Sequence, residues 1–209
     1  MSQARTAILQ RLRSEKWSSP SPRPAPSDFT TGPLPELGSD LQAHFECKLK
    51  ANVISFDNAG DEQAIVDSVM AFLQSHELPL QLCLVNHPML ADLPWPDTIQ
   101  PQQGAVKDTD LSILSVATAA IAETGSVVMI ASEETPTEAN FLPDNFICIV
   151  KKYTLLAHME DLWAQLRQQN NKPPAVVNII SGPSRTADVE QTIQLGAHGP
   201  RRMHVIIRD

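Results

Sequence analysis

The sequence predicts an α/β fold, a three-layer α/β/α arrangement built around a mainly parallel sheet. Apolar runs that do not alternate with polar residues, such as "LQLCLV" at 80–85, "NFICIV" at 145–150 and "HVII" at 204–207, indicate strands covered on both faces. Amphipathic stretches of helical period stand between such runs and set up a β-α-β rhythm. A length of 209 residues suits one compact domain with its own core.

The elements follow in order. Ile8, Leu9 and Leu12 suit a packing helix, and the proline-rich "SSPSPRPAPSDFTTGPLPELG" after it favours an extended arm, so residues 1–37 read as helix plus arm and 38–209 as the α/β domain. Leu41, Phe45 and Leu49 mark a helical face, followed by the strand "NVISF". Asp61 is placed to cap a helix whose buried stripe is Ile65, Val69, Phe72 and Leu73. In "DLSILSVATAAIAETGSVVMIAS" two strand-like runs flank an alanine-rich stretch, which predicts a short turn of helix closed by Gly125. Leu155, Met159, Leu162, Trp163 and Leu166 form a further helical stripe, with Glu160, Asp161, Gln165 and Gln168 opposite. "AVVNII" then precedes a glycine-proline turn, a helix expected from about Ala187 to Leu195, and the last strand from His204.

Bulk properties exclude several classes. With 16 Lys and Arg against 24 Asp and Glu the formal net charge is −8, and no dense basic block exists for nucleic acid. No apolar run approaches the roughly 20 residues of a membrane span, and no secretory core follows the N-terminus, so a soluble cytoplasmic protein is expected. Cys47, Cys83 and Cys148 are far apart and form no C-x-x-C pair, so no metal or cluster is expected on this chain. Cys83 and Cys148 sit in apolar runs and read as small buried hydrophobes.

Three stretches offer chemistry. In an open parallel sheet the ligand crevice lies beyond the carboxyl ends of the strands, where strand-to-helix loops gather. "SGPSRTADVE" reads as such a loop: Gly182 permits an unusual dihedral, Pro183 stiffens the turn, Thr186 caps the helix, and Ser181, Ser184 and Arg185 offer donors to a phosphate or carboxylate. Equally, Asp188 and Glu190 satisfy the helix start and pair with Arg185, leaving only a turn. In "AETGS", Glu123 is either a general base or nucleophile beside Thr124, or a solvated residue before a C-capping Gly125. In "AHGPRR", His198 ahead of Gly199 and Pro200 is either a titrating or metal-binding group or a turn residue. "NHP" at 86–88 places another histidine just after a strand.

Taken together, "AAIAETGSVVMI", "NFLPDNFICIV" and "ISGPSRTADVEQTIQLGAHGPRRMHVII" resemble the LUD domain family, and closely its lactate utilization protein C members of the YkgG type. The resemblance covers nearly the whole chain, least in Asn52 to Val106. It implies a fold similar to the sugar-phosphate isomerase and CoA-transferase superfamily (NagB/RpiA/CoA-transferase-like). It also implies a part in oxidising L-lactate to pyruvate, as a non-catalytic or co-catalytic, cluster-free subunit beside iron-sulfur partner proteins, holding no cofactor itself. The resemblance marks Glu123, Thr124 and Gly125, Ser181 to Asp188, and His198, Gly199 and Pro200 as family-motif positions, whose loops are expected to bind a small carboxylate or a partner surface. The alternative is a free-standing isomerase- or transferase-like enzyme, with Glu123 as base or nucleophile and the Ser181 to Thr186 loop holding phosphate or CoA.

Overall fold

The computed structural model describes residues 4–5, 10–11, 32–104, 106–107, 111–133, 135–169, 174–187, 193–195 and 199–209. The chain divides into two compact units, Met1–Leu34 and Pro35–Asp209. In the first, Ala4, Arg5, Gln10 and Arg11 are helical. The second contains the sheets.

Its elements are α1 (Leu41–Ala51), β1 (Ser55–Ala59), α2 (Glu62–Ser75), β2 (Gln81–Leu84), the short α3 (Pro88–Ala91), β3 (Gln100–Gln103) and β4 (Ser112–Val116). There follow β5 (Ala119–Ile121), β6 (Ser126–Ile130), β7 (Asn145–Lys151), β8 (Leu155–Leu156), α4 (Met159–Gln169), β9 (Val177–Ile180), β10 (Arg185–Ala187), β11 (Ile193–Leu195) and β12 (Arg202–Arg208). Six strands form a parallel sheet in the order β1-β12-β7-β4-β2-β3. A second sheet, β8-β5-β6-β9, is mixed, with β6 antiparallel to both neighbours. β10 and β11 form an antiparallel ribbon.

The α/β class with a mainly parallel sheet is the one expected, and its layers follow from side-chain alternation. On β12, His204 faces α2, where it meets Ser68 and stacks on Phe72. On β7, Cys148, the partner of Val205 one residue along, faces the other way and touches Met129 of β6 at 3.9 Å. The small sheet therefore covers the second face, where helices were expected to lie directly. Its own residues alternate: Ala120, Val127, Met129 and Ile180 join the main core, while Ala119, Ile121 and Val128 pack with Leu162 of α4 on the far side. Helices still form the outer layers, with the small sheet inserted beneath one of them.

Local signals place the helices. Asp61 accepts from the Ala64 amide at 2.8 Å, and Ile65, Val69, Phe72 and Leu73 of α2 are buried. Replacing Asp61 by alanine is expected to cost about 1 kcal/mol, read as a lowered urea midpoint; an unchanged midpoint would show that α2 is held by packing alone. α1 ends in a Schellman motif, with Ile54 N bonded to Leu49 O and Val53 N to Lys50 O. Val53 takes the left-handed position at φ 60°, which β-branched residues avoid. In α4 the stripe holds except that Trp163 is exposed and Leu155 belongs to β8.

Two segments depart from the expected structure. The alanine-rich stretch is β5, paired with both β6 and β8, and Gly125 ends a hairpin turn rather than a helix. Where a helix was expected from Ala187 to Leu195, the described residues form the β10-β11 ribbon, with Arg185 opposite Leu195 and Ala187 opposite Ile193, so Thr186 lies in a strand rather than at a helix start.

Candidate functional site

The three stretches converge on the loop that begins at Ser181, the Thr124 stretch through Ser126 and the 199–202 stretch through Pro200. The antiparallel register of β6 and β9 sets Val127 against Ile180, so Ser126 and Ser181, the next residue on each, face one another. Their hydroxyls are 2.7 Å apart, and the Thr124 hydroxyl lies 2.6 Å from Ser126. The end of α1 seals this junction. Asn52 Nδ2 donates to Thr124 O at 2.8 Å. A Cβ on Gly125 would lie 2.6 Å from Lys48 Cβ, and one on Gly182 would lie 3.0 Å from Asn52 O. Both glycines have positive φ, 66° and 144°, so each turn needs its glycine for backbone angle and for clearance.

Beyond the junction the Ser181 to Arg185 loop borders an open cleft of about 720 Å³. Pro183 and Arg185 line it from the loop, Val53 and Ser55 from the start of β1, Phe72 and His76 from α2, and Arg201, Arg202 and Met203 from the start of β12. Ser55 and Arg202 are the first residues of their strands, so the cleft lies at the amino ends of β1 and β12, not beyond the carboxyl ends. The reason is topological: β5 runs back across the large sheet, carrying the 122–125 turn to the end where α1 hands over to β1.

The cleft is basic. Arg201 pairs with Asp144 at 3.3 Å and Arg202 donates to Asn145 Oδ1 at 3.2 Å. Among the described residues no carboxylate pairs with Arg185, which is exposed. The Ser184 amide already donates to Pro200 O at 2.8 Å, so this loop does not present a row of free amides. Gly199 lies against Ser184, with 3.4 Å between an added Cβ and the serine Cβ. Asp188 and His198 fall outside the described residues.

Glu123 belongs to the junction by chain but not by side chain. Its carboxylate turns to His158 Nδ1 at 3.0 Å, the two side chains being 28 % and 14 % exposed. His87 is a turn residue: its Nδ1 accepts from the Met89 amide and caps α3. Cys148 is fully buried, and burial pushes its thiol far above the usual range, so it stays neutral and inert. Among the described residues no group of three His, Cys, Asp or Glu is placed to hold a metal ion, and no helix is long and apolar enough to cross a membrane.

A polar chain absent from the expectations runs behind the cleft. Ser55 Oγ lies 2.8 Å from His204 Nδ1, His204 Nε2 lies 2.9 Å from Ser68 Oγ, and Ser68 donates to Asp57 Oδ2 at 2.7 Å. The signal available in sequence was a single histidine inside the apolar run "MHVII". Burial lowers the His204 pKa from 6.5 to about 4, against Asp57, which raises it, and with His76, which lowers it further. The imidazole is therefore neutral at pH 7.

This is an α/β protein with a parallel sheet backed by a smaller mixed one and a basic cleft at the amino end. Residues 107–207, just under half of the chain, match the LUD domain. Lactate utilization protein C of Geobacillus kaustophilus (strain HTA426) is 36% identical over 90 residues, 42% of this chain and 38% of the relative. That of Shouchella clausii (strain KSM-K16) is 31% identical over 110 residues, 52% and 47% of the two chains. Escherichia coli (strain K12) protein YkgG, an uncharacterized protein, is 36% identical over 93 residues, 43% and 40%. The match spans less than half the length of each of these relatives. A crystal structure of a DUF162 family protein from Deinococcus radiodurans shares the fold, with TM-score 0.60 at 17% identity over 81% of this chain and 96% of that one.

Proposed function

We propose that the protein takes part in lactate utilization as a cluster-free component beside iron-sulfur partner proteins, and that its cleft holds a small carboxylate. The names of its relatives support the setting, and the scattered cysteines support the division of labour. The observation that carries the ligand class is Arg185, a guanidinium in an open cleft without a carboxylate partner among the described residues. A planar fork of donors matches a carboxylate at two points, and lactate and pyruvate are carboxylates. The competing role for Glu123, as base or nucleophile of an isomerase or transferase, requires its carboxylate to leave His158.

Calorimetric titration with L-lactate tests the reading. Arg185→Ala is expected to weaken binding by roughly 10- to 100-fold, the worth of a charge-assisted hydrogen-bond pair, with the urea midpoint unchanged. Equal affinity in the variant would remove the carboxylate from this cleft. Affinity purification from lactate-grown cells is expected to bring iron-sulfur proteins with the chain.

A further inference from the structure

The polar chain behind the cleft has a direction. Asp57, as a carboxylate, only accepts, so Ser68 must spend its one proton on it. The Ser68 oxygen then accepts from His204, which fixes the ring proton on Nε2 and leaves Nδ1 as a bare acceptor. Ser55 meets that acceptor at 2.8 Å, with Met203 O at 3.4 Å as the only other protein acceptor among the described residues. In either case the Ser55 proton points inward. What Ser55 presents to the cleft is its lone pairs.

We propose that Ser55, oriented by His204, Ser68 and Asp57, makes the cleft selective for 2-hydroxy acids over 2-oxo acids. A ligand hydroxyl donates to the Ser55 oxygen, whereas a keto oxygen can only accept and meets lone pairs. This rests on the carboxylate reading of the cleft, since Arg185 and Ser55 line the same space and divide the recognition of one small molecule. The chain orients a hydroxyl rather than activating a nucleophile. Abstracting the Ser55 proton would place a cation on a ring that is 4 % exposed, and burial opposes that charge.

The test uses L-lactate and pyruvate as probes in calorimetric titration, with imidazole nitrogen shifts of the free protein as a second readout. Lactate is expected to bind about tenfold tighter than pyruvate, the worth of one hydrogen bond. Ser55→Ala is expected to erase that difference, since lactate loses its hydrogen bond and pyruvate no longer meets the lone pairs. Asp57 Oδ2 also lies 3.5 Å from Nε2, so replacing Ser68 and Asp57 together by alanine, neither of which lines the cleft, frees the ring tautomer and is expected to shrink the preference too. The nitrogen shifts should report Nδ1 unprotonated and Nε2 protonated at pH 7. Equal binding of the two acids overturns the hydroxyl selection while the carboxylate reading stands; binding of neither overturns both. The reverse tautomer, or a lactate preference surviving in Ser55→Ala, overturns the role of the chain.

Discussion

Replacing Gly125 by alanine is expected to lower the unfolding free energy by about 3 kcal/mol, read as a lowered urea midpoint. Two costs combine. A left-handed backbone at a residue other than glycine costs about 1–3 kcal/mol, and the new methyl meets the Lys48 main-chain carbon at 2.9 Å as well as its Cβ. A long side chain can swing aside, but a helix backbone cannot. Relief requires moving the 122–125 turn off α1, which breaks the Asn52 to Thr124 bond and disturbs Ser126 against Ser181. An alanine variant with the parent's midpoint would mean that the turn and α1 are not in contact.

Acidification from pH 6.5 to 4 is expected to remove about 3 kcal/mol of stability through His204 alone, the linkage worth of lowering its pKa from 6.5 to about 4. The unfolded chain takes up this proton near 6.5, whereas the folded chain resists until about 4. Between those values the unfolded state binds more protons, so the contribution is complete above 6.5 and is lost as pH falls through 4. Asp57 and His76 face the ring and act in opposite senses, with burial the larger cause. Urea midpoints across this range should fall more steeply for the parent than for His204→Gln, which cannot titrate. Parallel slopes would show that the ring is not buried neutral.

What was legible in the sequence was local. The Asp61 cap and the α2 stripe need only neighbours within a few turns, and the nonalternating strands announced burial on both faces. Ala119 to Ile121 were misread because alanine favours helix by intrinsic propensity, while pairing with β6 and β8 is decided by residues elsewhere. The ribbon at Arg185 to Leu195 was misread for a related reason: acidic residues after a Gly-Pro turn imitate a helix start, whereas Ile193 and Leu195 alternate as a strand does. At the site, the contact of the Thr124 and Ser181 stretches rests on the register of β6 and β9, and the direction taken by Glu123 on His158, 35 positions away, so neither was legible locally. Ser55, Asp57 and Ser68 carried no signal, because their partner His204 lies at least 136 positions away and reaches them only by strand order.

That strand order also bears on how the chain is made. β12 is the last of the described strands to leave the ribosome, yet it lies between β1 and β7 and is, among the described strands, the one neighbour of β1. During synthesis β1 therefore waits unpaired through some 140 residues, a long loop to close and an exposed edge in the meantime. The cleft shares this timing, since Arg201, Arg202 and the ring behind Ser55 arrive with the same strand. A nascent chain stalled before residue 200 would carry Ser55 and Arg185 but lack Arg201, Arg202 and the His204 ring behind Ser55, so the cleft is complete only once the sheet is closed.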